Sequence, residues 1–136
     1  MIIADTSGLL ALYNRSEPAH ESVVDAVRDG DLPLVVSPFV IAELDYLLAT
    51  RVGTNVAVAV LRDLGGGAYI IAEIGPMDLA AAAGVVERYH DQDIGATDAS
   101  LVVLAERYRT RTILTLDRRH FQVVRPLSGG RFDLLP

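Results

Sequence analysis

Four acidic residues, Asp5, Glu43, Asp98 and Asp117, stand where an α/β chain can gather them. Asp5 ends the apolar run Ile2-Ile3-Ala4, and Asp117 follows Thr112-Ile113-Leu114-Thr115-Leu116. Asp98 opens the expected helical stretch Ala99–Tyr108, and Glu43 lies inside another, Val40–Ala49. In an open parallel sheet, strand C-termini and the helix N-termini that follow them share one edge, and ligands bind there. Four carboxylates gathered on that edge repel one another unless a cation lies between them. Carboxylate oxygens suit Mg2+ or Mn2+, with waters and substrate phosphate completing an octahedron. The expected chemistry is therefore that of phosphodiesters at a hard-metal site.

Each aspartate also has a purely structural explanation. Asp5, Asp98 and Asp117 all precede expected helical turns, where an Asp side chain caps free N–H groups. Glu43 is bracketed by Ile41 and Leu44, which predicts a carboxylate near a buried face and in need of a partner. Thr6, Ser7 and Thr115 flank the expected site with hydroxyls, and Asp93 could reach it from a loop. Asp45, two residues from Glu43, points to a different helix face. The histidines His20, His90 and His120 are scattered without metal-ligand spacing, and even His120, close after Asp117, is expected on the surface. With no cysteine, and no serine near an evident histidine base, nucleophilic acyl chemistry has no machinery. Gly65-Gly66-Gly67 lacks the Lys-Ser/Thr of a phosphate-binding loop and follows a helix instead of opening one.

The elements that must position the acids follow from pattern. Ile2–Ala4, Leu34–Val36, Tyr69–Ile71 and Thr112–Leu116 read as short strands, and Val123-Val124 and Phe132–Leu135 as closing ones. Helices are expected over Ser7–Asn14, Glu17–Arg28, Pro38–Arg51, Asn55–Leu64, Asp78–His90 and Asp98–Tyr108. Ser37-Pro38 is a start signal for the third of these. Val40, Ile41, Leu44, Leu47 and Leu48 then recur at helical spacing. Strands alternating with helices imply a parallel sheet covered on both faces. No linker or repeat interrupts the chain, so one domain is expected over 1–136.

Composition narrows the setting. No apolar run approaches the roughly 20 residues that span a membrane, and neither a signal peptide nor a disulfide framework is visible, so a soluble cytoplasmic protein is expected. The net charge of −6 disfavours a nucleic-acid partner until its distribution is considered. Residues 1–106 carry a balance of −11, whereas residues 107–136 hold seven arginines against two acids. That segment, with Arg109, Arg111, Arg118 and Arg119, is the candidate polyanion-facing region. All 12 basic residues are arginine, so mechanisms that need a lysine are excluded, among them that of receiver domains.

Four ordered segments resemble the PIN-domain nucleases. They are Ile2-Ile3-Ala4-Asp5-Thr6-Ser7, Ser37-Pro38 through Ala42-Glu43-Leu44, Thr97-Asp98-Ala99-Ser100-Leu101-Val102, and Ile113-Leu114-Thr115-Leu116-Asp117-Arg118-Arg119-His120-Phe121. More narrowly, the chain is similar to the VapC toxins of bacterial toxin–antitoxin pairs. The resemblance implies a PIN-like three-layer α/β/α sandwich with a mainly parallel central sheet. It also implies Mg2+- or Mn2+-dependent endoribonuclease activity, homodimers and a cognate VapB-type antitoxin. Asp5, Asp98 and Asp117 are then the expected metal ligands, with Glu43 acting through water. The RNA target would be a structured loop, in transfer RNA or in the sarcin–ricin loop of large-subunit ribosomal RNA. An apolar groove for an antitoxin helix is expected from Leu9, Leu10, Leu12, Tyr13, Tyr46, Leu47 and Leu48. An RNA-processing PIN nuclease without an antitoxin, or a non-catalytic PIN binding module, are the alternatives.

Overall fold

Runs such as Ile2-Ile3-Ala4 and Leu34-Val35-Val36 show no polar alternation, which is the pattern of strands covered on both faces. A computed structural model describes residues 1–136, and in it both runs are fully buried strands. In chain order the elements are β1 (Ile2–Ala4), α1 (Thr6–Tyr13), α2 (His20–Gly30), β2 (Leu34–Val36), α3 (Pro38–Arg51) and α4 (Thr54–Leu64). They continue with β3 (Ile70–Ile71), α5 (Pro76–Arg88), α6 (Ala96–Arg107), β4 (Thr112–Leu114), α7 (Arg118–Val123) and β5 (Asp133–Leu135). The five strands form one sheet in the order β3-β2-β1-β4-β5, and every neighbouring pair is parallel. Helices pack around it, giving the expected α/β architecture.

The chain leaves β1 toward β2 on one side and returns through β4 on the other. The sheet therefore reverses its winding between β1 and β4, and a crevice opens beyond the strand ends at such a point. Ala4 is in register with Leu114, so the residues that follow, Asp5 and Thr115, emerge side by side. Asp5 N donates to Leu114 O at 2.9 Å, extending the pairing one step past the strand. A core of 31 buried apolar residues supports this edge, including Leu9, Leu44, Leu101 and Ile113. No helix is long and apolar enough to cross a membrane.

One expected strand is not there. Val123 ends the helix α7, and only Asp133–Leu135 closes the sheet. Phe121 and Val124 are both buried, at 2% and 1% exposure. Their spacing of three is helical, so a turn of helix buries both where an extended chain would bury one.

Gly8 sets how closely α1 approaches the sheet. A Cβ at this position would lie 2.6 Å from the Leu114 carbonyl oxygen and 2.8 Å from its Cγ. The helix therefore lies directly on the β4 backbone, and a methyl group would lift it. Gly8→Ala is expected to destabilise the protein by about 2 kcal/mol, although alanine is the better helix former. Gly84, in α5 with nothing near its missing Cβ, provides the contrast. Gly84→Ala is expected to stabilise by about 0.7 kcal/mol. Urea unfolding of both variants measures the difference, and equal effects would show that the close approach is unimportant.

Candidate active site

The crevice beyond β1 and β4 is a cleft of about 370 Å³ lined by Asp5, Thr6, Ser7, Glu43, Asp93, Gly95, Ala96, Thr97, Asp98, Asp117 and His120. All four acids singled out by the sequence border it, and Asp93 joins them. The capping explanation fits them poorly. Asp5 precedes α1 but its side chain caps no N–H. Asp98 is the third residue of α6, whose N-cap is Gly95. Only Asp117 caps its helix, accepting from His120 N at 3.5 Å, the long limit of such a bond.

Asp5 is 6% exposed and held from one side. Its Oδ2 accepts from Ser7 Oγ at 2.8 Å and from Thr115 Oγ1 at 2.7 Å. The same hydroxyls accept from the chain beyond β4: Leu116 N donates to Ser7 Oγ, and Asp117 N to Thr115 Oγ1, both at 2.9 Å. Two hydroxyls thus fasten the Asp5 carboxylate to the backbone that carries Asp117. Thr6 lines the same cleft but does not hold Asp5. Its Oγ1 is buried without a hydrogen-bond partner.

Asp98 is brought in by α6, and its first turn is secured by a buried contact. Ser100 Oγ donates to Thr97 O at 2.6 Å and lies 2.9 Å from Ser37 Oγ, the cap of α3. Burial pushes the Asp98 carboxyl up to about 6, and the charge of Asp5 adds to the effect. Asp117 and Glu43 push the same way, and His120 opposes them. The Asp98 carboxyl is therefore within electrostatic reach of the other three acids. Glu43 differs from expectation: it is exposed at the cleft rim, so water solvates its charge and it needs no buried partner.

His120 is the residue that the sequence placed wrongly. Its ring is 17% exposed, and Nδ1 lies 3.2 Å from Asp98 Oδ2 and 3.2 Å from Asp117 Oδ2. The available signal was the spacing of three from Asp117, which sets both side chains on one face of α7.

The four arginines separate. Arg119 lines a smaller cleft of about 190 Å³ with Asp91, Gln92, Asp93, His120 and Val123, and the two clefts share Asp93 and His120. Arg118 turns away, donating to the Pro136 carbonyl and lining a different cavity with Phe121 and Phe132. Arg109 and Arg111 precede β4 and so lie at the opposite edge of the sheet from the acids. The expected apolar groove also dissolves: Leu9, Leu10 and Leu48 are core, Leu12, Tyr13 and Leu47 are half-buried, and Tyr46 is 67% exposed.

No three of the Asp, Glu and His side chains converge tightly enough to enclose one ion. The donor set still fits a hard divalent cation. Mg2+ is commonly held by one or two carboxylates and keeps several waters, and the cleft offers hard oxygens, room for water and an unpartnered Thr6 hydroxyl.

The crevice beyond β1 and β4 thus gathers Asp5 and Asp117 from the strand ends with Glu43 from α3 and Asp98 from α6. The PIN domain family matches residues 2–126, and the chain belongs to that family. Within it the chain is a VapC relative: it is 55% identical to Ribonuclease VapC26 of Mycobacterium tuberculosis over 135 residues, 99% of this chain and 100% of that protein. Two crystal structures share the fold. Mycobacterium tuberculosis VapC20, a sarcin–ricin loop cleaving toxin, superposes with a TM-score of 0.79 at 20% identity, over 86% of this chain and 90% of that one. VapBC2 from Rickettsia felis, bound to a DNA fragment from its promoter, gives a TM-score of 0.71 at 15% identity over the whole of both chains.

The raised Asp98 carboxyl makes a stability prediction. Because the folded state holds this proton more tightly than the unfolded chain, stability falls as pH rises from about 4 to about 6. Asp98→Asn removes the penalty. In chelator-treated protein at pH 8 it is expected to gain on the order of 1 kcal/mol, discounted for partial exposure, or about 3 °C in Tm. The gain should fade below pH 4, and thermal unfolding across pH measures it. A gain that does not change with pH would assign it to packing instead.

Proposed function

We propose that the chain is the toxin of a VapBC-type pair, a Mg2+- or Mn2+-dependent endoribonuclease that hydrolyses structured RNA. The observation that carries this reading is the cleft itself, which brings the charges of Asp5, Asp117 and Glu43 to bear on the Asp98 carboxyl. A bound divalent cation would neutralise that charge, lower the pKa of a bound water and stabilise the charge developing on the scissile phosphate. Asp5 and Asp98 are best suited as direct ligands, since each retains an oxygen without a protein partner. Asp117 completes the set, and exposed Glu43 suits a water-mediated contact at the rim. Ser7 and Thr115 hold Asp5 in its orientation throughout. With water as attacker, the products carry a 5′ phosphate and a 3′ hydroxyl.

Substrate enters over Arg119, whose cleft runs into the acidic one and whose guanidinium suits phosphate contacts. Tyr46, exposed and one turn beyond Glu43 on α3, offers a face on which a splayed base can stack. The proposed target is a structured RNA loop, the sarcin–ricin loop or one in transfer RNA. A homodimer and a VapB-type antitoxin complete the proposal. For the antitoxin, the apolar cleft of about 410 Å³ lined by Tyr13, Val56, Ala59 and Val60 replaces the groove expected from the sequence.

Induced expression in bacteria tests the central claim. Wild type is expected to halt growth and create new RNA 5′ ends that Asp5→Ala does not. Identical end maps would remove the toxin reading, and cleavage that survives excess EDTA would remove the metal. Arg119→Ala is expected to raise KM for RNA several-fold with kcat little changed, whereas Arg109→Ala should leave both near wild type. Steady-state kinetics on a target-loop RNA distinguishes them, and matching effects would rule out the Arg119 path.

A further inference from the structure

His120 has contacts that the acid set alone does not explain. Its Nδ1 stands 3.2 Å from one oxygen of Asp98 and 3.2 Å from one oxygen of Asp117. Those two carboxylates come from different elements, α6 and the turn between β4 and α7. The ring that joins them is itself well anchored. Its neighbour Phe121 is buried and packs edge-to-face on Phe132 with centroids 6.0 Å apart. The Asp117 backbone is tied in turn to Thr115 Oγ1 at 2.9 Å.

A pattern runs through the cleft. Asp5 gives Oδ2 to Ser7 and Thr115 and keeps Oδ1 without a protein partner. Asp98 Oδ2 faces His120 Nδ1 at 3.2 Å, and its Oδ1 likewise has no protein partner. In each case one oxygen is fixed by the protein and the other is left for something else. We infer that His120 is a positioning residue, whose Nδ1, set between the two carboxylates, holds the spacing of Asp98 and Asp117 and leaves Asp98 an oxygen for a divalent cation, without ligating the ion itself. Groups that orient metal ligands in this way typically govern affinity by about 10- to 100-fold. The inference rests on the metal reading proposed above.

The test uses the geometry of side-chain amides. Asparagine puts an N–H close to the position of Nδ1, whereas glutamine puts one nearer Nε2. H120N, H120Q and H120A are made in the full chain, checked for wild-type folding by circular dichroism, and titrated with MnCl2 by calorimetry. H120N is expected to bind Mn2+ within about threefold of wild type, and H120Q and H120A about tenfold or more weakly. RNA turnover should follow in kcat, with KM for RNA unchanged. Wild-type Mn2+ affinity in H120A, or H120N as weak as H120Q, overturns the inference. Those outcomes differ from a wild type that binds no Mn2+, which overturns the metal reading and this inference with it.

Discussion

The site depends on β1 lying directly beside β4 with nothing between them. Two acids more than a hundred residues apart in sequence become neighbours because Ala4 and Leu114 share a register. Gly8 lets α1 lie against the backbone of β4, and Ser7 and Thr115 then meet the Asp5 carboxylate. A bulkier residue at position 8 would disturb the network as well as the packing, since both hydroxyls also accept from the chain that leads to Asp117. Core and chemistry meet in one small contact.

That contact supports an arrangement which is electrostatically unfavourable in isolation. A fold optimised only for stability would not place Asp98 in a desolvated cleft next to three other carboxylates. The hydroxyls on Asp5 and the imidazole at Asp98 offset part of the repulsion, and the rest falls on the Asp98 carboxyl. Glu43 escapes by standing at the rim in water. The division between buried and exposed acids gives the cleft a graded depth, with the most constrained charge near the sheet and the most exposed at its mouth.

Much of this was legible in the sequence, because the signals were local and repeated. The strands were unbroken apolar runs, α3 announced itself with Ser37-Pro38, and the acids stood at element ends, where their edge could be inferred without coordinates. The failures share a cause: they concern where one element lies relative to another. Arg109 and Arg111 are close to Arg118 and Arg119 in sequence, yet β4 runs between the pairs and carries them to opposite edges. Val123-Val124 has β-branched composition, but α7 had to turn to bury both Phe121 and Val124. His120 offered no ligand spacing, since its partners came from another helix and from its own N-cap. Glu43 looked half-buried from its apolar neighbours, whereas the helix faces solvent at that position.

The buried contact between Ser37 and Ser100 has a mechanical consequence. These hydroxyls touch at 2.9 Å and join the first turns of α3 and α6, the helices that bring Glu43 and Asp98. A joint at that end acts as a pivot. Helix α3 is about 21 Å long, so a 5° tilt about Ser37 would swing its far end by roughly 2 Å while shifting Glu43 by under about 1 Å. A displacement applied to the distal half of α3 would therefore reach Glu43 diminished, as the spokes near a hub move least when the rim flexes.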